Sequence, residues 1–163
     1  MGAMHVLEFA FPPPCVDRRD LRLHVVYTTP DATRACLKAA SLLASDLGAT
    51  LDLLVPHVVP FPLPLDEPAA PASFIEDTVT ALIKGYQVDI NVKVLLCRDR
   101  EETIPKWLPS DSIVVIGRRR RWGLGEFRPL IRAVKRGGHH VVVVDAGHNE
   151  TAAAALCRRL VSR

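Results

Sequence analysis

Long apolar runs, aromatic residues and paired cysteines are what this sequence has little of. Phe, Trp and Tyr make up 6% of its 163 residues, so a core must be assembled from Val, Leu, Ile and Ala. No stretch approaches the roughly 18 consecutive apolar residues of a membrane-spanning helix, which argues against a membrane partner. The four cysteines, Cys15, Cys36, Cys97 and Cys157, include no CxxC pair and no short metal-ligand spacing. Neither a structural zinc site nor any other metal is expected. The opening residues lack an export-signal pattern, so reduced thiols in a cytoplasmic setting are the expectation. The GxSxG, HExxH and Walker-type lysine motifs are absent as well. Nothing proposes a catalytic pair, and the chain is expected to be no enzyme, with no catalytic residues.

Charge of one sign is also scarce. Lys and Arg exceed Asp and Glu by 21 to 18, a formal net charge of +3. That mild excess argues against nucleic acid as a partner. What the chain does have is 48% hydrophobic residues, ample for one packed domain.

Residues 1–20, with Pro12-Pro-Pro14, read as an irregular N-terminal arm. Residues 23–27 read as a first strand and 51–55 as a second. Between them Cys36, Leu37, Ala40, Leu43, Ala44 and Leu47 recur at helical spacing. Thr29, Pro30 or Asp31 can open that helix and Gly48 can close it. Prolines recur from Pro56 to Pro71, which predicts a long excursion loop. Ser73 and Glu76 have capping-box spacing before an apolar stripe of Phe74, Ile75, Val79, Leu82 and Ile83. Val88, Ile90, Val92 and Val94 alternate with Asp89, Asn91 and Lys93, which predicts a third strand near a sheet edge. Asp99 and Glu102 open a helix kept short by Pro105 and Pro109. Residues 113–116 form a fourth strand, 127–135 a helix ended by Gly137-Gly138, and 141–144 a fifth strand. Residues 147–163 are a tail, alanine-rich enough for a helix.

Strands alternating with helices predict a single α/β domain over residues 21–146. It is an open parallel five-stranded sheet, Rossmann-like, in order 3-2-1-4-5, with helices on both faces. Right-handed crossovers then bring the segments after the first and fourth strands, 28–31 and 117–125, to one crevice at the carboxyl edge of the sheet.

Three pieces of the chain resemble the universal stress protein (UspA-like) family. The run from Cys36 through Gly48 to Val55 is similar to that family's first helix and second strand. Ile113-Val-Val-Ile-Gly117-Arg118-Arg119 is similar to its fourth strand and loop. His139-His-Val-Val-Val-Val144 sits where its last strand follows a short basic helix. Many members bind ATP through a Gly-x-x-Gly-(nine residues)-Gly-Ser/Thr loop. Here Gly117 matches the first glycine, but Arg120 replaces the second and Leu130-Ile131 replace the final pair. The acid expected at the end of the first strand is Thr28. Glycines at such loops let backbone N–H groups approach phosphate oxygens, and each designed hydrogen bond lost costs about 1–3 kcal/mol. The resemblance therefore implies the branch that lacks the motif: a non-catalytic stress-response module with weak or no ATP binding and no cofactor. It implies a homodimer through the last strand, Val141, Val142, Val143 and Val144, and contacts with an unidentified protein partner. The alternative is an adenine-nucleotide-binding regulatory module with a degenerate arginine-rich phosphate loop. Its cofactor-binding residues would be Thr28, Thr29, Val55, Gly117, Arg118, Arg119 and Arg120.

Other features have simpler explanations. Arg118, Arg119, Arg120 and Arg121 with Trp122 read as a solvated basic loop, with an anion site as the functional alternative. Gly123 and Gly125 lack the third glycine of a dinucleotide fingerprint, since Arg128 stands there. His139 and His140 are adjacent on a strand and point to opposite faces, so they do not chelate one ion together. His24 and His57 have no acidic or thiol partner at ligand spacing. Cys97, beside Arg98 and Arg100, is a candidate for a modestly activated thiol. Asp31, Asp99, Glu101 and Glu102 are accounted for by helix N-termini.

Overall fold

The computed structural model describes residues 5–9, 21–66, 72–119 and 127–146. In chain order the elements are β1 (His5–Phe9), β2 (Arg22–Val26), α1 (Pro30–Leu47), β3 (Thr50–Val58), α2 (Ala72–Ile83), β4 (Ile90–Cys97), α3 (Arg100–Trp107), β5 (Ile113–Arg119), α4 (Arg128–Arg136) and β6 (His140–Ala146). Five strands, β4-β3-β2-β5-β6, run parallel in the predicted order. Helices cover both faces, as the alternation of elements requires.

Side-chain parity sorts the core into two layers. On one face Leu23, Val25, Leu51, Leu53, Val92, Val94, Val115 and Val142 pack with Cys36, Leu37, Ala40 and Ala44 of α1. On the other face Val26, Leu54, Leu95, Val114, Ile116 and Val141 pack with Ile104 of α3 and with Leu130 and Val134 of α4. Near-continuous apolar strands are what burial on both faces demands of a parallel sheet.

α1 is set by its ends and its small residues. The Thr29 hydroxyl accepts from the Ala32 N–H, and Pro30 occupies the first turn. Gly48 closes the helix in the left-handed region at φ 62°, where its N–H bonds to the Ala44 carbonyl. Alanines and Cys36 on the inner face let the helix lie close to β5. At α3, the Asp99 carboxylate caps two N–H groups, those of Glu101 at 2.7 Å and Glu102 at 3.1 Å. Pro105 sits inside that helix, which spans 8 residues.

Four expectations are corrected. Residues 1–20 are not wholly irregular, because His5–Phe9 form a strand antiparallel to β4. In consequence β4 is the second strand of a six-stranded sheet, not its edge. Its polar face is explained otherwise, by Asn91 and Lys93 meeting partners on β3 and α3. The loop expected from Pro56 onwards begins later, since β3 continues through Pro56 and His57 to Val58 beside β4. The β2 ladder stops at Val26 opposite Leu54, so Pro56 lies where β3 has a strand on one side only, a position that tolerates a missing N–H. Finally, Gly117, Arg118 and Arg119 belong to β5 and not to a loop, paired with Val144, Asp145 and Ala146 of β6.

Candidate functional site

The two segments expected to border one crevice at the carboxyl edge do meet. The Thr28 hydroxyl donates to the Gly117 carbonyl at 3.0 Å, which joins the segments after β2 and β5. Each threonine there already has a partner within the chain. Thr28 N–H donates to Thr33 Oγ1 at 3.2 Å, and Ala32 N–H donates to Thr29 Oγ1 at 3.4 Å. Gly117 is enclosed by α1: a Cβ built on it would lie 2.5 Å from the Ala32 carbonyl oxygen and 2.8 Å from Cys36 Sγ. Its glycine is required by helix–sheet contact.

Arg118 is paired. Its Nε and Nη2 donate to the two carboxylate oxygens of Asp145, the latter at 3.0 Å. This two-pronged geometry is the strong form of the interaction. The hydrogen bond to Asp145 holds the guanidinium pKa above its usual value. Val55 is buried on the α1 face. Arg119 sits at the end of β5 opposite Ala146. Arg120, Arg121, Trp122, Gly123 and Gly125 lie outside the described residues, and so do Ser73's side chain and the tail 147–163. The structure thus brings Thr28, Thr29, Gly117 and Arg118 together.

A second polar group lies beneath α3. His24, Asp52 and Asn91 occupy one row across β2, β3 and β4. His24 is 2% and Asp52 1% exposed. Asn91 Nδ2 donates to Asp52 Oδ1 at 3.1 Å, and Arg22 Nη1 lies 3.7 Å from Asp52 Oδ2. His24 Nδ1 is 3.5 Å from the same oxygen, within ion-pair reach but without a hydrogen bond. Trp107 stands edge-on to the imidazole at 6.1 Å, and Lys93 Nζ lies 4.8 Å above the Trp107 ring. Burial lowers the His24 pKa below 6.5, against the opposing pull of Asp52. His24 has no acidic partner at ligand spacing in the sequence, yet the fold sets Asp52 beside it. Twenty-odd residues of sequence hide a contact that a parallel register creates. The readable signal was one polar residue between two apolar ones near the start of each strand: Leu23-His24-Val25, Leu51-Asp52-Leu53 and Ile90-Asn91-Val92.

The two histidines before and at the start of β6 diverge as expected. His139 is buried with Nε2 3.2 Å from the Pro105 carbonyl, whereas His140 Nε2 lies 2.8 Å from Asp111 Oδ1. A cleft of about 780 Å³ opens beside them, at the amino ends of β2, β5 and β6, opposite the Thr28–Gly117 crevice.

The two described cysteines, Cys36 and Cys97, are not activated. Cys36 is buried and its thiol is pushed up to about 12. Burial also raises the Cys97 thiol, whose Sγ–H faces the His57 carbonyl at 3.8 Å. This is the reverse of the shift expected from its arginine neighbours, because burial outweighs the lowering by Arg100, and Arg98 is engaged elsewhere. It donates instead to the carbonyls of Val59, Pro60 and Leu63 at 2.8, 2.9 and 2.6 Å and lies over the Phe61 ring at 4.6 Å. Among the described residues no three His, Cys, Asp or Glu side chains converge to hold a metal ion, and no helix is long and apolar enough to cross a membrane. Compared with known proteins, the chain matches no family model and no curated sequence.

Proposed function

We propose that the chain is a non-catalytic module of the universal stress protein type, acting in the cytoplasm through self-association and contacts with other proteins, with weak or no binding of adenine nucleotide. The role in stress rests on the sequence resemblance. The reading of the crevice rests on one observation: at the junction of β2 and β5 the groups that would meet a phosphate are engaged inside the chain. The Thr28 hydroxyl bonds to Gly117, Gly117 abuts α1, and Arg118 is held by Asp145. A triphosphate would have to break these contacts before gaining its own, and each broken one costs about 1 kcal/mol or more.

Self-association is favoured by β6, the terminal strand, which is apolar on both faces and has a neighbour on one side only among the described residues. Such an edge tends to pair with a copy of itself.

Thermal unfolding with and without ATP tests the crevice. A ligand at about 100 times its dissociation constant would stabilise the fold by roughly 2.7 kcal/mol, so an unchanged midpoint at millimolar ATP is the expected result. A clear upward shift would overturn the reading in favour of the nucleotide-binding alternative.

A further inference from the structure

We propose that the cleft at the amino ends of β2, β5 and β6 binds a small organic anion, a molecule with a phosphate or carboxylate group on an apolar body. This site is separate from the Thr28–Gly117 crevice and independent of the function proposed above.

The size fits. About 780 Å³ lies within the range of roughly 300–1,000 Å³ typical of small-molecule sites and exceeds what a bare ion needs. Leu21, Ile113, Val141 and Val142 supply apolar wall for the body of the ligand.

The polar lining has more donors than acceptors. Arg22 is half exposed, and among the described residues its one ion pair is a 3.7 Å approach to Asp52, which leaves most of its five N–H donors for a ligand. Lys135, in the last turn of α4, lines the same cleft and is exposed. The acid on the rim, Asp111, is already in contact with His140. An oxyanion is the partner that accepts several such donors at once.

Helix carboxyl ends ordinarily repel an anion. Here the last carbonyls of α4 are covered from within: Gly137 N–H bonds to Ala133, Gly138 N–H to Lys135 and His139 N–H to Val134. On α3, Leu108 N–H bonds to the Ile104 carbonyl and His139 Nε2 contacts that of Pro105.

Two buried histidines complete the wall. His24 and His139 both line the cleft and are 2% and 7% exposed. His24 Nδ1 faces Asp52 at 3.5 Å and His139 Nε2 faces the Pro105 carbonyl at 3.2 Å, so both rings are held in place at the border of the cleft. Neither ring supplies the anion's hydrogen bonds, but both report a change in the space beside them.

The test uses the full chain with ¹⁵N-labelled histidines, titrated with phenyl phosphate, benzoate and, as a neutral control, benzamide. The His24 and His139 ring signals should move with at least one of the anions and stay still with benzamide. The stronger of the two anions identifies the head group. Lys135→Glu should weaken that binding roughly tenfold, whereas Lys84→Glu, an exposed lysine after α2, should not. The proposal is overturned if both anions leave the two rings unmoved at low-millimolar concentration, if benzamide acts as they do, or if Lys135→Glu binds as well as the parent.

Discussion

Gly117 shows how tightly α1 is seated. A methyl group there would meet backbone at 2.5 Å and a buried sulfur at 2.8 Å, so either the helix must lift or the strand must bend. Overpacking of this kind costs about 1–3 kcal/mol. Gly117→Ala should lower the urea midpoint accordingly, whereas Gly85→Ala, at a turn with open space but φ 97°, tests backbone strain alone. A Gly117→Ala variant as stable as the parent would show that α1 is not in close contact. His24 makes a second prediction at this scale. Its folded pKa lies below its unfolded value of 6.5 because burial disfavours the imidazolium. The unfolded chain therefore takes up the proton first, and stability falls as pH drops below about 6.5 toward the folded pKa. Arg22, Lys93 and His139 reinforce that direction and Asp52 opposes it. His24→Gln should flatten the fall of the urea midpoint over that window; an unaltered slope would assign the titration elsewhere.

At the scale of elements, local rules were legible because each is enforced within a few residues. Thr29, Pro30 and Gly48 mark the two ends of α1, and Asp99 marks the start of α3, by hydrogen bonds that span at most five positions. What was not legible depended on partners distant in sequence. Alternation in residues 88–96 pointed to a wet edge, yet β1 pairs alongside and the polar face is matched by Asp52 and Trp107. Pro56 signalled a loop, yet its strand merely has a free side at that height. Arg98 was read as a neighbour of Cys97, when its guanidinium instead ties down the loop after β3. Three carbonyls and an aromatic face on one side chain make it the main fastening of residues 59–63. Arg98→Ala should speed amide hydrogen exchange and proteolysis in that loop by an order of magnitude or more while β2 and β5 exchange as before. Equal protection in both proteins would mean that the loop holds itself.

For the whole molecule, the parallel order and the meeting of the first and fourth crossovers followed from alternation and handedness, which are global rules. The polar row of His24, Asp52 and Asn91 and the amino-edge cleft did not, since both arise from strand register, which apolar strands specify only once they are assembled. The assembly itself leaves β6 at the rim. If that rim joins two copies, light scattering at micromolar concentration should give twice the 17.9 kDa chain mass, and Val143→Lys, on a half-buried face of β6, should halve it without abolishing the folded circular dichroism spectrum. A chain that stays monomeric before substitution would remove self-association from the proposed role.

The contact between α1 and β5 also bears on how sequences of this shape are sorted. A pattern search for nucleotide loops would credit the residue at 117, although sheet and helix demand it for room alone. Any chain with this helix–sheet contact would keep a glycine there whether or not it met a triphosphate, so the residue carries no record of such a ligand. The discriminating positions are those with no such duty in the scaffold, further along the chain.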